Sequence, residues 1–136
     1  MAIVFANVGE VLAMTWGFKS TSAPENLTLK IFSNNYTPVA GSTAGSFTEC
    51  AISGYSAKTI TRSSWGDPST NGSGKAEMAY AAQTWTFTGS GTCYGIFVVG
   101  ATSGTLIYAE LFSSARTVTS GDSLTYTPKL TGNSEN

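Results

Sequence analysis

From Leu27 onward, apolar and polar residues alternate with a period of two. Leu27, Leu29 and Ile31 alternate with Thr28 and Lys30, the pattern of a strand with one buried face. Asn34-Asn35-Tyr36-Thr37-Pro38 ends that strand, and a loop of small residues follows over 39–46. Strands are predicted at 47–53 and 57–62, with Gly54-Tyr55 as a bulge or corner between them. Another covers 76–88, where Trp85 and Phe87 alternate with threonines. Gly89-Ser90-Gly91 reads as a hairpin turn into 93–100, CYGIFVVG. That segment is apolar on both faces and so predicts a central strand. After Thr102-Ser103-Gly104, residues 105–112 (TLIYAELF) repeat the pattern apart from Glu110. Ser120-Gly121-Asp122 makes the last turn, before Leu124, Tyr126 and Leu130 alternate with Thr125, Thr127 and Lys129. Seven or eight strands at this spacing predict an all-β, jelly-roll-like antiparallel β-sandwich. A meander closed as a barrel is the alternative.

The start of the chain differs. Asn7 can cap a helix and Glu10 can reach back to complete a capping box. Val8, Val11, Leu12 and Thr15 then fall on one helical face, and Gly17 supplies a stop. So short a helix is unstable alone and must dock on its own sandwich or on a neighbouring subunit. The expected organisation is an N-terminal arm and helix over 1–19, a β-domain over 20–131 and a polar tail over 132–136.

Composition narrows the class. Among 136 residues only 11% are charged and the formal net charge is −1, where globular domains average about 25% charged. Serine, threonine and glycine fill the deficit, giving a surface that hydrogen-bonds without repelling neighbours. The seven cations are scattered, which argues against nucleic-acid binding. No apolar run approaches a membrane span. The N-terminus lacks the basic start and the cleavage site of a signal peptide, so assembly in the cytoplasm is expected. Cys50 and Cys93 lie in different predicted strands, and spacing alone leaves open a disulfide or two buried thiols. No cofactor is expected.

Chemistry is sparse. The chain has no histidine, which removes Ser-His-Asp and Cys-His catalysis and the usual zinc sites. A glycosidase needs only two carboxylates, but Glu10, Asp67 and Asp122 suit caps and turns. The expectation is a non-enzyme. The candidate site residues are therefore interface residues. Leu106, Tyr108, Glu110 and Phe112 share one predicted strand face and Ile107, Ala109 and Leu111 the other. Glu110 is then either an edge-strand charge or an intersubunit contact. Trp65 stands in the longest polar stretch, 63–75, and either tucks beneath its own loop, projects as an anchor or stacks on a sugar. Trp16 and Phe18 on the helix have the first two readings.

Several segments, LTLKIFSNNYTP, FTECAISGYSAKTI, TWTFTG followed by CYGIFVVG, and GTLIYAELFSSARTVTSGDSLTYTPKLT, resemble small structural proteins of tailed bacteriophages, including phages of cyanobacteria. The likeness is to capsid decoration, or cement, proteins. It implies β-sandwich units, dimers or trimers, bound to the major capsid protein on the outside of the virion. It implies no catalytic or cofactor residues, and it leaves the segment 1–19 as a departure suited to an anchoring arm. A carbohydrate- or receptor-binding module of a phage tail, a two-carboxylate glycosidase and a tail-tube or baseplate component are the competing classes.

Overall fold

The computed structural model describes residues 3–20 and 22–132. The fold is all-β with one short helix. Among the described residues there are ten strands: β1 (Val4–Phe5), β2 (Leu27–Phe32), β3 (Lys58–Ile60), β4 (Ser69–Thr70), β5 (Ala76–Ala79), β6 (Gln83–Thr86), β7 (Gly91–Gly100), β8 (Leu106–Val118), β9 (Ser123–Tyr126) and β10 (Lys129–Thr131). Helix α1 (Asn7–Met14) follows β1 and continues into a π-helical turn, Thr15–Lys19.

A five-stranded sheet in the order β1-β8-β7-β2-β3 is the frame, with its paired strands antiparallel. Alternation along β2 and β7 builds its two faces. Leu29, Ile31, Ile96 and Val98 turn to one side and meet Trp85 and Leu124 of the β6–β9 ribbon and Phe87, which follows β6. Phe97, Val99 and Phe32 turn to the other, with Phe47 and Ala6. There the Phe47 and Phe97 rings stack at 5.0 Å. Strand β7 is central and apolar on both faces, as its sequence predicts.

Several boundaries differ from expectation. The segment 76–88 is not one strand, because the chain leaves β5 at Tyr80 and re-enters pairing as β6 in another sheet. Its partner breaks at the same level. Pro128 has no N–H to donate, and its carbonyl accepts the Tyr80 amide at 2.8 Å between β9 and β10. The expected strand at 47–53 is reduced to one bridge, Glu49 to Phe32. Asn34 explains this by taking the local backbone groups: its side chain donates to the Ser46 carbonyl and accepts the Thr48 amide. Conversely, the polar stretch 63–75 contains β4 and a tight turn into β5, where Asn71 Oδ1 accepts the Ser73 and Lys75 amides. Of the expected tail, residues 133–136 lie outside the described residues, and Gly132 donates its amide to Ala76 at 2.7 Å.

Irregular pairing of β7 with β8 alters which side chains share a face. Val98 pairs with Tyr108 but Val99 with Leu106, so Ile107 is an extra residue. Such a bulge shifts alternation by one. Leu106 therefore joins Ala109 on the Phe97 side, while Ile107 and Tyr108 join the opposite cluster. The expected face of Leu106, Tyr108, Glu110 and Phe112 is broken at its first member. A second shift lies between Cys93–Arg116 and Gly95–Leu111, and it sets residues 112–115 against Tyr94 alone.

Candidate functional site: an apolar helical ridge

Helix α1 is fixed through a glycine. Gly9 is buried, and a Cβ there would sit 2.6 Å from the Cα and carbonyl oxygen of Ile107. Only a residue without a side chain lets the helix backbone lie directly on β8. One and two turns further on, Leu12 and Trp16 pack against the main core. The docking face is thus Gly9, Leu12 and Trp16. The expected buried face of Val8, Val11, Leu12 and Thr15 is incorrect, since Val8 is 43% and Val11 65% exposed. Periodicity weighs apolar side chains and cannot register the closest contact, which has none.

The helix start and stop also differ from expectation. Ala6, not Asn7, occupies the cap position and no side chain caps the helix. The Asn7 amide is instead satisfied by the Ala40 carbonyl at 2.8 Å, and the Glu10 amide by the Ala6 carbonyl. The chain continues through Gly17 and ends at Ser20, whose φ of 54° is left-handed.

The outward side is the most apolar exposed feature of the described residues. Val8, Val11, Met14 (63% exposed) and Phe18 (90% exposed) follow one another along it, at spacings that keep side chains on one side of a helix. Val39, also exposed, lies next to the Ala40 carbonyl that holds Asn7. Beside the ridge is a shallow hollow of about 380 Å³ walled by Asn7, Val8, Val11, Leu12, Thr15 and Thr105. Between Ile3 and Ser20 the only charges are Glu10 and Lys19, near opposite ends. Isolated exposed apolar residues are ordinary, but a contiguous set marks a contact surface.

The other candidates fall elsewhere. Trp16 is half-buried beneath the ridge and Phe18 stands on it. Trp65 is tucked back: its ring meets Tyr80 edge-on at 5.5 Å and packs on the core. Tyr108 is fully buried, with its ring 5.9 Å from Phe5. Glu110 is half-buried and accepts a hydrogen bond from the Tyr126 hydroxyl at 2.9 Å. It is not an edge charge in the expected sense, because β8 lies inside the sheet order. The Tyr108 hydroxyl makes no hydrogen bond of good geometry. Burial pushes the Tyr108 and Tyr126 hydroxyls far above the usual tyrosine range, and the Glu110 carboxylate adds to this in both. Phe112, Arg116, Asp122 and Tyr126 line a second groove of about 360 Å³. The structure therefore brings Tyr108, Glu110 and Phe112 towards Tyr126, keeps Trp16 and Phe18 together on the helix, and places Trp65 apart.

Sequence reasoning missed Val11 and Met14 as surface residues. The available signal was Gly9 in register with Leu12 and Trp16, a small-large-large stripe competing with the valine stripe.

Cys50 and Cys93 are both buried, unpaired thiols in one core cluster. Burial, reinforced by Cys50, pushes the Cys93 thiol up to about 12. Among the described residues no group of three or more His, Cys, Asp or Glu is placed to hold a metal ion, and no helix is long and apolar enough to cross a membrane. Compared with protein-family models and with curated proteins, the sequence matches none of them.

Proposed function

We propose that this chain is a non-catalytic structural protein that works by being packed into an assembly, namely a decoration protein on the outer surface of a phage capsid. The observation that carries the reading is the ridge of Val8, Val11, Met14 and Phe18, seated on the sheet through Gly9. A charge-poor domain that fixes its exposed apolar side chains on one element is suited to being covered by protein. The phage setting rests on the sequence resemblance. Binding only the assembled shell would stabilise the shell by mass action. The test is to purify phage heads and look for the chain. The expected result is stoichiometric co-sedimentation, with occupancy reduced by Val11→Asp together with Phe18→Asp. Heads that lack the protein would refute the reading.

The groove of Phe112, Arg116, Asp122 and Tyr126 favours one second reading, a saccharide-binding module of a tail. Aromatic walls beside planar polar side chains suit a sugar ring and its hydroxyls. Binding on a glycan array, abolished by Phe112→Ala, is the result that would support it; a blank array would remove it.

A further inference from the structure

We infer that the α1 ridge is a two-fold contact between two copies of this chain, with the helices antiparallel and Phe18 of each copy seated in the hollow walled by Val8, Val11, Leu12 and Thr15 of the other. The inference deepens the reading above and rests on its claim that the ridge is covered in the assembly.

The surface is complementary to itself. It carries both a protruding knob, Phe18 at 90% exposure, and an unfilled apolar hollow of about 380 Å³. Four of the five helical walls of that hollow, Val8, Val11, Leu12 and Thr15, stand at the spacing that forms a hole for a side chain of a facing helix. Knob and hollow centre are separated by about 10 Å along the helix, at about 1.5 Å per residue. A two-fold axis beside Met14 and Thr15 sends each knob into the other copy's hollow. One such operation satisfies both copies and closes the assembly at two. A foreign partner would need a knob and a hollow of its own at the same separation.

The axial positions of the two charges agree with the same orientation. Glu10 and Lys19 are the only charges between Ile3 and Ser20. With the axis beside Met14 and Thr15, Glu10 of one copy lies at the level of Lys19 of the other. Parallel helices would instead set Glu10 level with Glu10 and Lys19 level with Lys19, which is repulsive. The formal net charge of −1 adds little long-range repulsion between copies. Gly9 contributes by seating the helix backbone directly on β8 within the single chain.

A single helix pair is a small interface, so the expected dissociation constant is in the micromolar range, about 1–100 µM. On a surface with repeated binding positions, a dimer of this strength gains from multivalency.

The experiment is sedimentation velocity of the full chain over a concentration series, with Phe18→Asp, Val11→Asp and Met14→Cys variants. The wild type is expected to be a monomer–dimer mixture, and Phe18→Asp to raise the dissociation constant roughly 100-fold. Under oxidised glutathione, Met14→Cys, beside the axis, should form a disulfide-linked dimer. Cys50 and Cys93 are buried and do not compete. A dimer that survives both Asp variants, or a trimer, overturns the two-fold contact. A monomer at every concentration that still loads onto phage heads overturns the contact and leaves the decoration reading standing. A ridge-dependent dimer absent from heads confirms the contact and removes the decoration reading.

Discussion

Strand β7 and helix α1 are both rich in apolar residues, yet the protein treats them oppositely. Along β7, Ile96, Phe97, Val98 and Val99 are all buried because the sheet is covered on both faces. Along α1 only one stripe is buried, and Val11, Met14 and, in the turn that follows, Phe18 face outward. The difference lies in how each element meets its neighbour. A strand's alternating side chains need a layer on each side, and the β6–β9 ribbon and the Phe47 loop supply them. A helix laid on the sheet through Gly9 needs one stripe, and the remaining apolar residues stay exposed. Apolar content alone therefore does not separate core from surface.

The contrast breaks most severely at Gly95. A Cβ there would run into the Glu110 carbonyl and come within 2.6 Å of the Phe32 ring. Gly95→Ala should cost about 3 kcal/mol or more, because backbone and a packed aromatic cannot both yield. Urea unfolding would measure it, and a change below about 1 kcal/mol would show that the β7–β8 core is looser than described. The same test at Gly9 should separate the two regions. Gly9→Val pushes the helix off Ile107 but leaves the β-pairing intact. The expected loss is about 1–3 kcal/mol, with Trp16 fluorescence shifting red while the β-sheet circular dichroism is retained.

These two glycines also show what was legible in the sequence. The all-β class, the central strand at CYGIFVVG and the presence of a helix near Asn7–Met14 follow from periodicity and turn residues. Strand breaks matched across a pair did not: the interruption near Tyr80 falls opposite Pro128, some fifty residues away. The bulge at Ile107 was equally hidden, because TLIYAELF satisfies a regular strand as well as a bulged one. The ridge was misread for a related reason. Val8, Val11, Leu12 and Thr15 make a good apolar face in isolation, and the choice against them depends on a backbone contact with Ile107.

Thiol chemistry sharpens the comparison without disturbing the fold. Cys93 is buried and its thiol is pushed up to about 12, so it stays protonated at neutral pH. Native protein should react with a thiol reagent only as fast as it opens, whereas a Met14→Cys thiol on the ridge should react at once. The sign of the pH effect follows from the raised value. The folded state holds the Cys93 proton more tightly than the unfolded chain, whose thiol titrates near 9.0. This contribution is complete below pH 9 and is lost as pH rises towards 12. An alkaline unfolding midpoint that moves up in Cys93→Ser at unchanged neutral stability is not expected, since the serine hydroxyl would be buried in an apolar cluster; Cys93→Ala isolates the titration. Its stability should fall less steeply than that of the wild type over pH 9–12.

A smaller effect is expected where the core contains its own flaw. The Tyr108 hydroxyl is buried without a well-formed hydrogen bond. Tyr108→Phe removes a polar group that folding strips of water, so stability should be unchanged or rise by up to about 1 kcal/mol. A loss above about 1 kcal/mol would instead show that the hydroxyl has a bridging partner shared with Tyr126 and Glu110.

The smallest folding effect belongs to the ridge itself. In an isolated chain, the Phe18 side chain is already in water at 90% exposure, so Phe18→Asp removes almost no burial. Its monomer stability should lie within about 0.5 kcal/mol of wild type. The measurement must be made well below the dimer dissociation constant, because a dimer stabilises the folded state in proportion to concentration. At higher concentration the two chains should diverge: the wild-type melting temperature rises with concentration and that of Phe18→Asp stays flat. Flat behaviour in both would mean that the ridge has no partner in a second copy. A cost in the monomer comparable to that of Gly9→Val would place Phe18 inside its own chain's packing, and would erase the distinction between the helix's inner and outer faces.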